Sequence, residues 1–273
     1  MKKITLILIL EIILIIIFAF ILFNQTQKTT STKPKPDQTQ VSSSTTSSIK
    51  QDIYAPILMY HHIGKKDPQD SYYVSPETFD QQMKWLKDND FRVVTYMDYY
   101  KNRTEGIALP SKPVVITFDD GVLDHFTQAF PILQKYGFTG LFFIKTNFVG
   151  QTGYMNWEQI IEMQKAGMEI GSHSANHDNM ANMDIGSADR ELSLSKKTLE
   201  QKLGGKIDFF SYPGGGLSDQ IAKEVKSQGY LSALTTHHEV YHKASEDLFK
   251  VGRIHIDDEM ESFENWVQGI DLK

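Results

Sequence analysis

The chain contains no cysteine. That absence excludes disulfide frameworks, thiolate zinc sites, iron–sulfur clusters and cysteine nucleophiles together. Positive charge is also scarce: 28 Lys and Arg stand against 34 Asp and Glu, a net charge of −6 over 273 residues. The deficit is uneven. Residues 1–23 carry +1 (Lys2 and Lys3 against Glu11) and residues 24–52 carry +2, which leaves −9 on residues 53–273. An acidic globular part argues against a nucleic-acid partner, because such binding rests on Lys and Arg neutralising phosphates. No internal repeat and no protein partner motif is evident. The length is ample for a sizeable core in one large domain or two small ones.

One long apolar run is present. From Ile4 to Phe23 the sequence is almost wholly Ile, Leu and Phe, broken by Thr5, Glu11 and Ala19 and preceded by Lys2 and Lys3. About twenty such residues suffice to cross a bilayer as a helix, and the basic flank predicts a cytoplasmic N-terminus. The run ends without a small-residue cleavage signal, which favours an uncleaved signal anchor over residues 1–23. Residues 24–52 are Thr, Ser, Gln, Lys and Pro with almost nothing apolar, a composition that cannot offset its chain entropy and predicts a disordered tether. The expectation is a single-pass membrane protein with a globular domain over 53–273 displayed outside the cell.

Within that domain short apolar runs alternate with longer helical patterns. Strands are predicted at Ala55–Tyr60, Arg92–Thr95, Pro113–Phe118, Gly140–Ile144, Met168–Gly171, Phe209–Tyr212, Leu231–Thr235 and Val251–Ile256. Helices are predicted at Pro76–Asn89, Asp124–Tyr136, Trp157–Lys165, Ser187–Leu203, Ser218–Ser227 and Glu261–Gln268. This alternation reads as an α/β domain with a mostly parallel sheet, closed or nearly closed into a barrel. In such folds chemistry gathers at the carboxyl ends of strands.

Four strand ends carry candidate residues. Thr117-Phe118-Asp119-Asp120-Gly121 follows the apolar run Pro113–Ile116; of two adjacent carboxylates there, one can bind a metal while the other takes a proton, although an ordinary turn with solvated acids has the same sequence. Ser172-His173-Ser174-Ala175-Asn176-His177 places two histidines four apart, a spacing that suits two nitrogen ligands but also arises by chance among nine histidines. Asp120, His173 and His177 together would make a two-His, one-carboxylate set, for which Zn2+ fits best and Co2+, Ni2+ or Fe2+ would serve. Tyr60-His61-His62-Ile63 ends the first strand and offers an acid or base near neutral pH. Ser211-Tyr212-Pro213-Gly214 ends a fourth, where backbone amides could face an oxyanion.

The paired motifs at 117–121 and 172–177 resemble those of the NodB-type polysaccharide deacetylases, carbohydrate esterase family 4, over roughly residues 55–256. The resemblance implies a distorted (β/α)7-type barrel and a metal-dependent deacetylase, with Asp119 as catalytic base and Asp120, His173 and His177 as metal ligands. Where the family commonly has Arg-Pro-Pro-Tyr or Arg-Pro-Pro-Phe, this chain has Ser211-Tyr212-Pro213-Gly214. The arginine that orients the base is therefore missing; its role passes to Arg253 by this reading, while Tyr212 flanks the site and Gly214 supplies the amide. The family's C-terminal Leu-x-His is not evident, and Thr236-His237-His238 is the nearest stretch. The opening Ile57-Leu58-Met59-Tyr60-His61-His62-Ile63 is similar instead to the subgroup that deacetylates poly-N-acetylglucosamine, in which His61 matches the general acid. Trp157 matches an aromatic lining the acetyl pocket, and reads equally well as a core tryptophan at a helix start. The expected substrate is an N-acetylated polysaccharide at the cell surface or wall, with peptidoglycan as the alternative. A non-catalytic glycan-binding module on the same fold is the rival of a different class.

Overall fold

The computed structural model describes residues 55–65, 72–239, 242 and 246–269. The anchor expected over 4–23, the tether over 24–52 and the domain start at residue 53 lie outside these residues. Among the described residues no helix is long and apolar enough to cross a membrane. In chain order the elements are β1 (Ile57–Tyr60), β2 (His62–Ile63), β3 (Tyr73–Val74), α1 (Pro76–Asp88), β4 (Arg92–Val93), α2 (Tyr96–Glu105), β5 (Pro113–Phe118), α3 (Phe130–Tyr136), β6 (Leu141–Ile144), α4 (Trp157–Lys165), β7 (Glu169–Ser172), α5 (Ile185–Leu203), β8 (Phe209–Ser211), α6 (Asp219–Ser227), β9 (Ser232–Leu234), β10 (Ile254–His255) and α7 (Met260–Val267).

All six residues of β5 are buried, as are all four of β1 and of β6. Strands apolar on both faces need cover on both, which is the condition of a parallel sheet wrapped by helices. The sheet runs β10-β1-β5-β6-β7-β8-β9, with β4 beside the start of β5, and its strand pairs are parallel. It curls. Val251 bridges Leu234 in parallel, so the segment leading into β10 lies along β9 while β10 itself pairs with β1. This arrangement is consistent with a distorted barrel. The strands divide their side chains by parity. Leu58, Tyr60, Ile116, Phe118, Phe142 and Ile144 pack with the helices. Ile57, Val115, Leu141, Phe143, Phe209 and Leu234 form a second cluster with Tyr96 and Tyr99, on the other face of the sheet.

Four features depart from the sequence reading. Helix α2 is absent from it because its apolar periodicity is weak; a reciprocal capping box of Thr95 and Asp98 starts the helix and left-handed Gly106 ends it. The continuous helix expected over Asp124–Tyr136 begins as a π turn, His125–Ala129, in which the Phe130 amide reaches back to the His125 carbonyl. Pro131 explains the widened turn, since it has no N–H to continue the ladder. The short pair β2–β3 has no counterpart among the predicted strands. The last strand is only Ile254–His255 rather than Val251–Ile256, because Val251 turns its hydrogen bonds to the β9 side.

Candidate active site

The parity that sends Ile57, Val115, Phe143 and Phe209 to the second cluster sends His61, Asp119, Lys145 and Ser211 to the same side at the carboxyl ends of β1, β5, β6 and β8. They meet around a cleft of about 280 Å³ lined by His61, His62, Tyr72, Asp119, Asp120, His173, His177, Gly214 and Thr236. The loops holding these groups are strained. Among the described residues five non-glycine residues have positive φ, and three of them, Asp120, Ser174 and His177, belong to this site; such strain persists only where the surroundings enforce it. Gly121 relieves the next position: at φ +69° its hydrogen lies where a Cβ would stand 3.2 Å from the Ile144 side chain.

Asp119 is 1% exposed and held by Arg253, itself 0% exposed. The guanidinium donates to both carboxylate oxygens, at 2.8 and 2.6 Å. Its remaining N–H groups reach Thr117 Oγ1 (3.0 Å), Ser211 Oγ (2.9 Å) and the Thr235 carbonyl (3.1 Å). All five donors of the fork are therefore used. Burial alone would push the Asp119 carboxyl upward, but the charge and the hydrogen bonds of the Arg253 guanidinium outweigh it and hold the group well below the usual carboxylate range. Asp119 is thus an ionised carboxylate at any working pH.

Asp120, His173 and His177 bring one ligand atom each within 4.8 Å of the others. The His173 Nδ1–H donates to the Ser211 carbonyl at 2.8 Å, which leaves the Nε2 lone pair toward Asp120 Oδ1, 3.6 Å away. His177 Nε2 stands 3.2 Å from the same oxygen. Burial and the neighbouring His173 push the His177 pKa down to about 4, so the His177 ring is neutral at pH 7. Asp120 Oδ1 is buried without a hydrogen-bond partner; Lys145 Nζ is 3.1 Å away but off the hydrogen-bonding direction. Two imidazole nitrogens converging on a carboxylate oxygen that lacks a hydrogen-bond partner fit a divalent cation, and a set of two imidazoles and one carboxylate suits Zn2+ or a neighbouring transition metal.

His61 lines the cleft with its Nδ1 buried and unpartnered, and burial pushes its pKa down to about 4 against the pull of Asp119 and Asp120. Gly214, at φ +57°, also lines it. Other expected residues stand elsewhere. Tyr212 is buried, its hydroxyl donating to the Phe249 carbonyl at 2.9 Å, so it ties the turn down rather than facing the cleft. Trp157 starts α4 after the Asn156 cap and packs on the core beneath Lys202; it does not line the cleft. His237 and His238 do not line it either.

Several contributors escaped the sequence reading. Ser211 bonds Asp119, Arg253 and His173 at once. Glu191, on α5, accepts the amides of Ala175 (3.0 Å) and Asn176 (2.8 Å) and so fixes the loop that presents His177. The Asp124 carboxylate holds His62 Nδ1 at 3.0 Å and the Ile63 amide. Ser211 stands in a stretch the sequence marks, but its bonds, like those of Glu191 and Asp124, are not legible there, because each acts through a partner distant in sequence.

Comparison with known proteins agrees with this geometry. The polysaccharide deacetylase family model matches residues 106–233. YxkH of Bacillus subtilis, a polysaccharide deacetylase by name, is 32% identical over 181 residues, which span 66% of this chain and 64% of that protein, a little under two thirds of its length. The poly-beta-1,6-N-acetyl-D-glucosamine N-deacetylase of Staphylococcus epidermidis is 27% identical over 199 residues, 63% of this chain and 68% of that protein. Among solved structures, the Streptococcus pyogenes deacetylase PplD, crystallised with acetate, superposes with a TM-score of 0.75 at 27% identity, covering 81% of this chain and all of that one. With strand-end motifs, sheet order and relatives in agreement, the chain belongs to the polysaccharide deacetylase family.

Proposed function

We propose that the protein hydrolyses N-acetyl groups on N-acetylglucosamine residues of a cell-surface or wall-linked polysaccharide. The observation that carries this reading is the convergence, in one cleft, of an ionised carboxylate, a cation-ready Asp–His–His set and a half-buried imidazole just after the first strand. The Staphylococcus relative supports the choice of glycan, and the apolar run at 4–23 supports a membrane-anchored protein with its domain outside the cell.

A divalent cation held by Asp120, His173 and His177 would polarise the acetyl carbonyl and acidify water at that position. Asp119, fixed by Arg253, accepts the proton of the attacking water. A carboxyl held so far below its usual range does not keep that proton, so it passes on readily. His61 is neutral before reaction, and the negative charge developing on the carbonyl oxygen favours its protonation. It then gives the proton received from Asp119 to the departing amine as the carbon–nitrogen bond breaks, leaving a free amine and acetic acid, which ionises to acetate and a proton. The Gly214 amide donates to the oxyanion.

The test is acetate release by the full chain from poly-N-acetylglucosamine oligomers and from peptidoglycan, after chelation and again after adding zinc, cobalt or nickel. Metal-restored release from the oligomers, lost in Asp119→Asn with bound metal retained, is the expected result. An Asp119→Asn variant with near-normal turnover would overturn the role given to Asp119, and release from peptidoglycan alone would overturn the choice of glycan.

A further inference from the structure

The stretch that carries His61 has only one edge in a ladder. The amides of His62 and Gly64 donate to the carbonyls of Tyr72 and Val74, both at 3.0 Å, and among the described residues β2–β3 is a sheet of two strands. The alternate groups, the His61 carbonyl and the Ile63 amide, face away from β3 and must be satisfied otherwise. Their partners come from the turn that follows the Asp119–Asp120 motif. The Asp124 carboxylate accepts the Ile63 amide at 3.2 Å and the His62 Nδ1–H at 3.0 Å. The His125 Nε2–H donates to the His61 carbonyl.

Packing alone does not account for an imidazole at position 125. The side chain is fully buried, with its ring against those of Phe118 and Phe142 at 5.3 and 5.6 Å between centroids, so it has no room to swing. Burial pushes its pKa down, so the ring is neutral and its one proton sits on Nε2, facing the His61 carbonyl. Nδ1 is then a buried acceptor without a partner. Such an atom costs stability, and an apolar side chain would fill the same wall without that cost. The residue also opens the π turn His125–Ala129, a rare widening that is frequent at functional sites.

We infer that His125, together with Asp124, is a positioning residue for His61, pinning the backbone from which that imidazole reaches into the cleft. The inference rests on the reading of His61 as the acid that protonates the leaving amine. One loop then carries the base, the metal carboxylate and the hold on the acid, so the three keep a common frame. A consequence separates this role from general support of the fold. An amide nitrogen must be protonated to leave, whereas the phenolate of an aryl acetate leaves without a proton. Loosening His61 should therefore slow amide hydrolysis and spare the ester.

The test compares two substrates on the zinc-loaded full chain: acetate release from poly-N-acetylglucosamine oligomers, and hydrolysis of p-nitrophenyl acetate. In His125→Leu, kcat on the oligomers should fall by roughly 10- to 100-fold with KM little changed. Ester hydrolysis, zinc content and melting temperature should stay near those of wild type. His125→Gln, whose side-chain amide keeps a donor toward the His61 carbonyl, should recover most of the loss. Asp124→Ala should show the same ester-sparing loss, and it serves if His125→Leu does not fold. His61→Ala should show it in full, and adding His125→Leu to His61→Ala should cost nothing more, because the two act as one unit. Amide and ester rates that fall together in His125→Leu, or additive losses in the double variant, would overturn the inference and leave His61 as the acid. Equal losses on both substrates in His61→Ala would remove the acid itself and the clamp with it, so the two readings fail by different results.

Discussion

Replacing Arg253 with Met removes the guanidinium while keeping most of its apolar length, and the structure sets the cost. Asp119 would remain a carboxylate at 1% exposure with Ser211 Oγ, 3.1 Å away, as its remaining neutral donor. Deleting one partner of a buried pair and stranding the other typically costs about 3–5 kcal/mol. The Thr235 carbonyl also loses its charged donor. The lower end is to be expected, because the cleft beside Asp119 admits water, and a loss of about 3 kcal/mol is the prediction. Arg253→Lys should cost roughly 2 kcal/mol, since an ammonium has three donors for the five acceptor contacts and cannot form a fork. Urea denaturation of each variant, with unchanged slope, measures both. The double variant Arg253→Met/Asp119→Asn is the stricter test: with no charge stranded, it should be more stable than the sum of the single losses by at least about 2 kcal/mol. Additive losses, or an Arg253→Met cost under about 1 kcal/mol, would refute the account of Asp119 as a carboxylate kept ionised by one arginine.

Two further outcomes follow from groups outside the reacting set. Glu169 accepts the Tyr96 and Met97 amides at the start of α2, at 2.7 and 3.1 Å, yet burial pushes its pKa from 4.5 up to about 7. The folded protein therefore holds this proton more tightly than the unfolded chain. Stability from it is complete below pH 4.5, falls as pH rises from there to about 7, and is level above that, a loss of roughly 3 kcal/mol. Urea midpoints across this window should show the decline in wild type and a shallower one in Glu169→Gln; equal slopes would count against it. Glu191→Gln should weaken zinc binding in the cleft by about 10- to 100-fold through the Ala175–His177 loop, with folding nearly unchanged, as read by competition with a chelator.

How much of this is legible in the sequence depends on the range of each interaction. Asp119 and Asp120 follow a six-residue apolar strand, and His173 and His177 follow the next strand but one. Their chemistry is visible because residue type and strand position occur together in a few consecutive residues. The capping box of Thr95 and Asp98 is equally local and marks α2 better than the weak apolar periodicity of that helix does. The π turn before Pro131 needs only the proline. Arg253 is a suggestion in the sequence and a five-bond clamp in the structure, because no local pattern tells which of the arginines will lie 134 positions from its partner. Glu191 gives no sign at all, since it holds the amides of Ala175 and Asn176 from a different element.

By itself, then, the sequence determined which strands are buried on both faces, where they end, and which titratable groups stand at those ends, since these follow from side-chain chemistry and from the two-residue period of a strand. Only the tertiary structure decided which of those ends meet. The curl of the parallel sheet brings β1, β5, β7, β8 and the approach to β10 around one cleft, turns Trp157 and Tyr212 into packing residues, and selects Arg253 to hold Asp119. The physical reason is that desolvation, ion pairing and lone-pair convergence act through space, over separations the order of residues does not encode.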